Sequence, residues 1–380
     1  MRRHQRGILL VAVAGVMTLG ILLTGCGDKI AIPQPTGVFS INQYKVDDIY
    51  EVEGQAIQLT QGLSALFILT PGTLSKRDTN FGLSQEVTGL AGPLSLCIDE
   101  GLRIIFVWED DAKRVSWYDS STLEVLGGNI LSDVETAVGL ATNPSGIDQV
   151  PGGTTFLYLS DPITDVIHRY SFSMAAGLSP FGILARSDGL GVRFVHEAAG
   201  LATDGEDFLL VCDADIERNW LTRFASSPDP IDADLRGYAA LYDSASCDPP
   251  AATDYVVGHA AECNESDWVG GPSDALGEFT RPSDVAVDRL GRIFVADTDN
   301  KRIQLFSAKG AFDIQFLCTD SDTLVGPTSL GIFDENNPRE TGVINYGAYI
   351  FVTLQDRTTV IKFISYDHYQ AINGELPPPD

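Results

Sequence analysis

The five histidines of this chain are the first candidates for metal chemistry, since neutral imidazole is a very common metal ligand. They are His4, His168, His196, His259 and His368, and their spacing to one another and to the cysteines matches no zinc-binding motif. His196 comes just before an apolar run, so the fold could bring it toward other ligands. A single histidine does not make a zinc site, and His196 remains an isolated metal candidate.

Three polar residues near the starts of apolar runs, Asn143, Asp284 and Ser329, are candidates for calcium binding instead. Calcium is held by several oxygen ligands, mainly carboxylates and carbonyl or amide oxygens. If these side chains converge, they would form a calcium site. The competing interpretation is that they only form the turns that lead into strands.

Motifs for nucleophilic and phosphate chemistry are missing from the sequence. There is no Gly-X-Ser-X-Gly nucleophile elbow. The glycine-rich stretch GLSQEVTGLAG, residues 82–92, lacks the order of a phosphate-binding loop. The enzymatic hypothesis therefore depends on metal chemistry, and the sequence as a whole favours a protein that is not an enzyme.

A set of acidic residues recurs at equivalent positions. Glu109, Asp161, Asp213 and Asp297 each follow an apolar run directly, and Asp288 stands in the turn between two such runs. Carboxylates in turns accept hydrogen bonds from nearby backbone N–H groups. Because one active site does not need four copies of the same acid, the recurrence predicts a scaffold role for all five.

The cysteines divide into two kinds. Cys247 and Cys263 lie 16 residues apart in an irregular segment rich in Pro, Ser and Asp, and an exported protein could join them in a disulfide. Cys97, Cys212 and Cys318 follow apolar residues in strand-like runs. These three are expected to be small buried side chains without reactivity.

The elements that position these residues form a repeat. Residues 281–306 read RPSDVAVDRLGRIFVADTDNKRIQLF: an apolar run, a glycine turn, a second apolar run, a polar corner and a third run. Four further copies follow the same layout, and residues 37 to about 90 are long enough for a degenerate first copy. The prolines at positions 93, 144, 282 and 327 mark the starts of the first strands.

Each copy predicts a small antiparallel sheet. The second run is almost continuously apolar, as expected for a strand buried on both faces, whereas the third run alternates and should have one wetter face. Residues 312–317 and 123–128 supply a fourth strand in two copies. The fold class is therefore all-β, a β-propeller of six blades with four antiparallel strands each, in which the C-terminal run completes ring closure with N-terminal strands.

The segment 281–306 closely resembles an NHL repeat, and three other copies resemble it less closely. The resemblance implies a six-bladed propeller. Proteins with NHL propellers include RNA binders, lyases, adhesion modules and bacterial lipoproteins, so the resemblance leaves function open. Related catalytic propellers imply a metal at the mouth of the central channel, either zinc held by histidines or calcium in lactonases.

The N-terminus carries an export signal. A basic start, RRHQR, precedes an uncharged apolar run that ends in Leu23-Thr24-Gly25-Cys26. This ending resembles a bacterial lipobox, which implies cleavage after residue 25 and acyl chains, palmitate among them, on Cys26. The alternative is an N-terminal transmembrane helix, because the run approaches spanning length. Gly27 after the cysteine favours the outer over the inner membrane.

These observations divide the chain into four parts. They are a signal peptide at 1–25, a tether at 26–37, the propeller at 38–370 with an insertion at about 228–280, and a tail at 371–380.

Charge limits the partners. The net charge is −27, and −30 once the three arginines of the signal are excluded, so the protein should repel the phosphates of nucleic acids. The insertion contains Tyr242, Tyr255 and Trp268, which are the residue types that anchor interfaces. The leading hypothesis is a lipid-anchored envelope protein without a cofactor that binds a protein or a glycan. The alternative is a calcium-dependent lactonase, hydrolase or lyase.

Overall fold

The structure is a computed structural model, and every residue it describes belongs to the unit Ser40–Pro377. It describes residues 44–51, 56–60, 65–143, 155–186, 195, 197–204, 208–215, 219–225, 256–257, 272–288, 290–308, 312–317, 326–333, 349–356 and 359–365. The predicted signal peptide, tether and tail lie outside these residues.

Six antiparallel sheets of four strands account for the described chain, and we number them as blades I to VI. Blade I contains β2 (Ala56–Thr60), β3 (Ala65–Thr70), β4 (Thr73–Asp78) and β5 (Leu83–Thr88); blade II contains β6 (Pro93–Asp99), β7 (Ile104–Glu109), β8 (Arg114–Asp119) and β9 (Val125–Ile130). Blade III contains β10 (Gly139–Thr142), β11 (Thr155–Asp161), β12 (Val166–Ser173) and β13 (Gly177–Arg186); blade IV contains β14 (Ala198–Thr203), β15 (Phe208–Asp213), β16 (Trp220–Ala225) and β17 (Val256–Val257). Blade V contains β18 (Pro282–Val287), β19 (Ile293–Asp297), β20 (Arg302–Phe306) and β21 (Phe312–Leu317); blade VI contains β22 (Pro327–Phe333), β23 (Tyr349–Leu354), β24 (Thr359–Ser365) and β1 (Tyr44–Glu51).

The innermost strands of the six blades form the wall of a central channel. Each contacts the inner strand of the next blade, in the closed order β2, β6, β10, β14, β18, β22 and back to β2. The prediction of a six-bladed β-propeller is confirmed. Residues 37–90, which the sequence marked as a degenerate copy, supply β1 to blade VI and all four strands of blade I.

Middle strands are buried on both faces, as their apolar runs predicted. Every residue of β7, β11 and β19 is buried. Large side chains such as Phe106, Trp108 and Phe294 fill the space between blades. Each of these contributes about 1.5–3 kcal/mol through removal of apolar surface from water.

The third strands differ from the prediction. The alternating pattern of β20 suggested one wetter face, but all five of its residues are buried. Both faces of each sheet are covered by neighbouring blades, so its polar residues Arg302 and Gln304 are buried and hydrogen-bonded rather than solvated. Solvent reaches the fourth strands instead: β5 and β9 are exposed or half-buried along their whole length.

Blade III begins earlier in the chain than the prolines predicted. Pro144 was expected to start its inner strand, but that strand is β10, Gly139–Thr142, which ends before Pro144. A repeated tetrapeptide in the sequence marks this inner strand: Gly-Leu-Ala-Thr occurs at 139–142 and again at 200–203 within β14. Residues 144–154 lie outside the described residues.

Helical structure is nearly absent from the described residues, which contain one 3₁₀ turn at Asp110–Ala112 and no α-helix. Among these residues no helix is both long enough and apolar enough to cross a membrane.

Candidate functional site at the channel mouth

The starts of the inner strands meet at one end of the ring, which we call the entry face. Within each sheet, the start of the inner strand lies opposite the end of the middle strand, as Pro93 does to Glu109 and Pro282 to Asp297. Segments that lead into inner strands and turns that follow middle strands are therefore neighbours on this face. Ser95 Oγ donates to the Ala137 carbonyl of the next blade at 2.6 Å, which shows that adjacent blades are aligned there.

The channel mouth on the entry face is a small polar cavity of about 60 Å³. Its lining comes from the first residues of the inner strands, including Ser95, Gly139, Leu201, Asp284 and Ser329. Deeper in the channel, a second cavity of about 150 Å³ is lined by residues such as Ile98, Val287 and Ile332, and polar atoms form most of its surface. Of the three predicted calcium ligands, the structure brings Asp284 and Ser329 together at the mouth.

Asp284 is the carboxylate that lines this cavity. Its Oδ1 accepts the N–H of Val285 at 2.9 Å and its Oδ2 accepts the N–H of Leu330 in the next blade at 2.8 Å. Gly200 lies so close to the Asp284 backbone that any side chain at position 200 would collide with it. Burial raises the pKa of Asp284 to about 7, although the bonds from Leu330, Ser329 and Val285 favour its charged form.

The raised pKa of Asp284 predicts a pH dependence of stability. A carboxyl group whose folded-state pKa lies above its ordinary value stabilises the fold most at low pH, and that contribution is lost as pH rises through 7. Loss of this contribution between pH 5 and pH 8 should lower the free energy of unfolding by about 3 kcal/mol. Asp284→Asn should abolish that difference in urea titrations at the two pH values. An equal pH dependence in the variant would contradict the assignment.

The hydroxyl groups around Asp284 form hydrogen bonds between neighbouring blades. Ser283 Oγ donates to the carbonyls of Pro327 and Thr328 at 3.3 and 3.2 Å, and Thr298 Oγ1 donates to Pro327 at 2.8 Å. Together with the bond of Ser95 they join successive blades. These hydroxyls hold the ring together beside the carboxylate.

Asn143, a further metal candidate, does not join Asp284. Asn143 was expected near a strand start, but it directly follows the end of β10 and therefore lies at the opposite end of the inner strand. Its Oδ1 accepts the N–H of Phe156 at 2.7 Å. His196 lies outside the described residues. Within the described parts of the chain, no group of three or more His, Cys, Asp or Glu side chains is placed to hold a metal ion.

The recurring acids bind the backbone of the segments that enter the inner strands. Glu109 accepts the N–H of Ala91 at 2.8 Å, Asp161 that of Glu135 at 2.8 Å, and Asp297 that of Thr280 at 2.8 Å. Each bond fixes a residue two to four positions before the inner strand of its blade. Three blades therefore share the same hydrogen bond from a backbone N–H to a carboxylate.

Two further acids act within their own turns. Asp213 Oδ1 accepts the N–H of Asp215 at 3.2 Å. Asp288 accepts the N–H groups of Leu290 and Arg292 and also the Arg292 Nε at 2.6 Å. Blade VI has Leu354 at the acid position, and there the side chain of Gln355 accepts the N–H of Gly326 at 3.3 Å.

Blade V contains the most extensive of these networks, around Arg302. Its Nε donates to Asp297 Oδ2 at 2.6 Å, and its terminal nitrogens donate to the carbonyls of Asp274, Ala275 and Glu278 at 2.8–2.9 Å. The side chain is only 5% exposed. The arginine therefore holds residues 272–281, the segment that leads into β18, which we call the rim segment.

Gln304 extends this network, and sequence reasoning missed its role. It donates to the Glu278 carbonyl at 2.7 Å and accepts the N–H of Gly277 at 2.9 Å, so it also holds the rim segment. The sequence feature that could have revealed this role is a polar residue in the middle of an apolar strand. His168 holds the corresponding place on β12, where it is buried with Nε2 3.9 Å from Asp161 Oδ2.

The remaining predicted residues divide between buried positions and the undescribed part of the chain. Cys97 and Cys212 are buried free thiols, and burial raises the pKa of both. Cys26, Cys247, Cys263, Cys318, Tyr242, Tyr255 and Trp268 lie outside the described residues. Val256–Val257, within the predicted insertion, forms the outer strand of blade IV and pairs with β16.

The fold and its repeat define a class of protein: the chain is a six-bladed β-propeller that carries an NHL repeat. The family model described as the NHL repeat matches residues 279–306, which include the rim-segment residues Phe279–Arg281 and β18 to β20.

Comparison with curated proteins finds short matches. Protein brain tumor of Drosophila melanogaster is 55% identical over 40 residues, which are 10% of this chain and 4% of that protein. The B-box type zinc finger protein ncl-1 of Caenorhabditis elegans is 58% identical over 39 residues, 10% of this chain and 5% of that protein. The chain thus matches only a small part of the length of these relatives.

Comparison with solved structures finds matches that cover most of this chain. A protein provisionally assigned as a gluconolactonase is 10% identical, with a TM-score of 0.50 over 85% of this chain and 92% of that one. At this identity the likeness shows the fold alone.

Proposed function

We propose that the protein is a non-catalytic binding module, held at the bacterial cell envelope by acyl chains on Cys26, that presents its entry face to a protein or glycan partner. The lipobox-like LTGC ending supports the anchor, with the outer membrane favoured by Gly27. The acidic body supports a partner other than a nucleic acid.

One observation carries the binding proposal: Arg302 and Gln304 fix the rim segment to blade V through buried hydrogen bonds. Binding loops gain precision when a rigid scaffold holds them. The rim segment is the C-terminal end of the predicted insertion, which contains Tyr242, Tyr255 and Trp268. A scaffold that fixes this end would limit the positions that the insertion can adopt when it presents these aromatic side chains to a partner.

The test compares a triple variant with a double control variant in capture from envelope extracts. Replacing Tyr242, Tyr255 and Trp268 together by alanine should reduce the retained partner, measured by quantitative mass spectrometry and on a glycan array, at least tenfold. The matched control is Leu102→Ala with Leu290→Ala, two exposed side chains in turns at the opposite face, and it should retain the partner fully. Equal retention by both would reject the insertion as the binding element.

A calcium-dependent hydrolase is the second candidate, favoured by the buried carboxylate of Asp284 at the channel mouth. A bound cation would favour the ionised carboxylate and so offset the cost of its burial. Millimolar calcium chloride should then raise the unfolding temperature of the wild type at pH 8 and leave that of Asp284→Asn unchanged. If calcium shifts neither protein, the calcium hypothesis is excluded.

A further inference from the structure

The outer strand of blade II lacks the charged residues and prolines that the outer strands of four other blades contain. Exposed edge strands are usually protected from pairing with other chains by charged residues, proline or bulges. The described outer strands of blades I, III, V and VI carry such residues: Glu86 in β5, Pro180 in β13, Asp313 in β21 and Asp48 in β1. The sequence of β9, VLGGNI, contains neither a charge nor a proline. Its bulge lies at Leu126, and Gly127–Ile130 beyond the bulge pair regularly with β8.

Strand β9 also exposes apolar side chains. Val125 is 67% exposed and Ile130 is 74% exposed, both among the highest values for the large apolar residues of the described chain. Leu126, between them, is 41% exposed. Side chains of this type are unusual on a free strand edge, because they promote pairing.

Backbone groups of β9 point outward beside these side chains. Leu131 donates its N–H to the Lys113 carbonyl at 2.9 Å, so it faces β8. In an antiparallel ladder alternate residues face the partner strand. Asn129 therefore faces β8 as well, and Gly128 and Ile130 direct their N–H and C=O groups away from the sheet.

The centre of β9 contributes no side chain of its own to the strand edge, because positions 127 and 128 are both glycine. Gly127 is packed against the indole of Trp117, so closely that an added Cβ would come within 2.5 Å of the ring. A β-branched residue on an added strand would supply apolar cross-strand contacts that the glycines do not, since such residues pack well in sheets.

Acidic residues flank the strand in the chain. Glu124 precedes β9 and is exposed, and Asp133 and Glu135 follow it, both also exposed. An added strand with positive charges at its ends would therefore be favoured over a neutral or acidic one. The net charge of −27 opposes a second copy of this acidic chain as the occupant.

We propose that β9 is a docking edge onto which an extended segment of another protein adds as a fifth strand of blade II. The segment has β-branched apolar residues at its centre and lysine or arginine at its ends. Main-chain hydrogen bonds to Gly128 and Ile130 supply the pairing, as in other cases of strand addition. This surface is the outer edge of blade II and is separate from the entry face. Its test therefore does not depend on the proposed function above.

The experiment measures binding of a labelled peptide to the full-length protein in detergent by fluorescence anisotropy. The peptide has seven residues, alternating valine and threonine between terminal lysines. Saturable binding is expected, and the double variant Val125→Lys with Ile130→Lys should weaken it at least tenfold, equivalent to about 1.4 kcal/mol. The matched control is Ile49→Lys, a 57% exposed position on the charged outer strand β1, and it should bind like the wild type.

Two controls separate docking from other effects. A peptide with N-methyl groups on alternate residues should lose binding, because it cannot complete the ladder. Thermal unfolding should be unchanged in both lysine variants, since the replaced side chains are exposed. The proposal is overturned if the peptide shows no saturable binding, if the double variant binds equally well, or if sedimentation reveals dimers that depend on Val125 and Ile130.

Discussion

Replacing Arg302 by methionine should lower the free energy of unfolding by about 3–5 kcal/mol, the range for removing one partner of a buried ion pair. Methionine occupies a similar volume, but Asp297, whose side chain is fully buried, would lose the Nε bond of 2.6 Å. The carbonyls of Asp274 and Ala275 would lose the arginine donor as well, whereas that of Glu278 would keep its bond from Gln304. Urea unfolding monitored by tryptophan fluorescence measures the change.

The matched control for this prediction is Arg281→Met. Arg281 pairs with Asp299 at 2.9 Å, but the two side chains are 50% and 44% exposed. Exposed pairs contribute about 0–1 kcal/mol, so this variant should be nearly as stable as the wild type. Amide exchange should also accelerate across the rim segment in the Arg302 variant alone. Similar losses in both variants would show that the arginine does not act through burial.

Removing β1 should have the second large effect, because this strand closes the ring. It pairs with β24 from Tyr44↔Ser365 to Glu51↔Thr359, and its Asp47 lies 2.9 Å from the buried ammonium of Lys362. Tyr50 stacks on Phe81 of blade I with ring centroids 3.7 Å apart. Truncation would expose an apolar strand edge and leave Lys362 without its partner.

A chain that begins at residue 52 should therefore unfold at least about 10 °C lower than one that begins at residue 38, given 2–4 °C per kcal/mol for large domains. Differential scanning calorimetry compares the two. A peptide of residues 44–51 added in excess should restore part of the loss, since it binds only the folded ring. Equal unfolding temperatures would mean that blade VI is stable with three strands.

The two experiments probe different parts of the same frame. Arg302 acts within one blade and positions the rim segment, whereas β1 joins the two ends of the propeller. If the proposed function is correct, the Arg302 variant should lose partner binding at temperatures where its blades remain folded. Loss of β1 should instead lower the unfolding temperature of the whole ring.

Local patterns in the sequence were sufficient to predict the all-β, six-bladed architecture. The continuous apolar run Ile104–Trp108 is buried in a middle strand, as its periodicity predicted, because that property depends on residues close in the chain. The scaffold acids Glu109 and Asp297 were expected to bind the turns that they open. The backbone N–H groups that they accept belong instead to Ala91 and Thr280, which lie 18 and 17 residues earlier in the chain. The NHL-like spacing of residues 281–306 then fixed the kind of repeat.

Tertiary structure alone decided which side chains meet. The pattern of β20 suggested a wet face, and only packing between blades shows why Arg302 and Gln304 are buried. Asn143 and Asp284 looked alike as polar residues near strand starts, yet the start of β10 at Gly139 places them at opposite ends of the channel. Asp284 owes its raised pKa to burial by residues of other blades, and β1 finds its partner at the far end of the chain. Contacts between residues so distant in sequence leave no local pattern, because they depend on how the six sheets close into a ring.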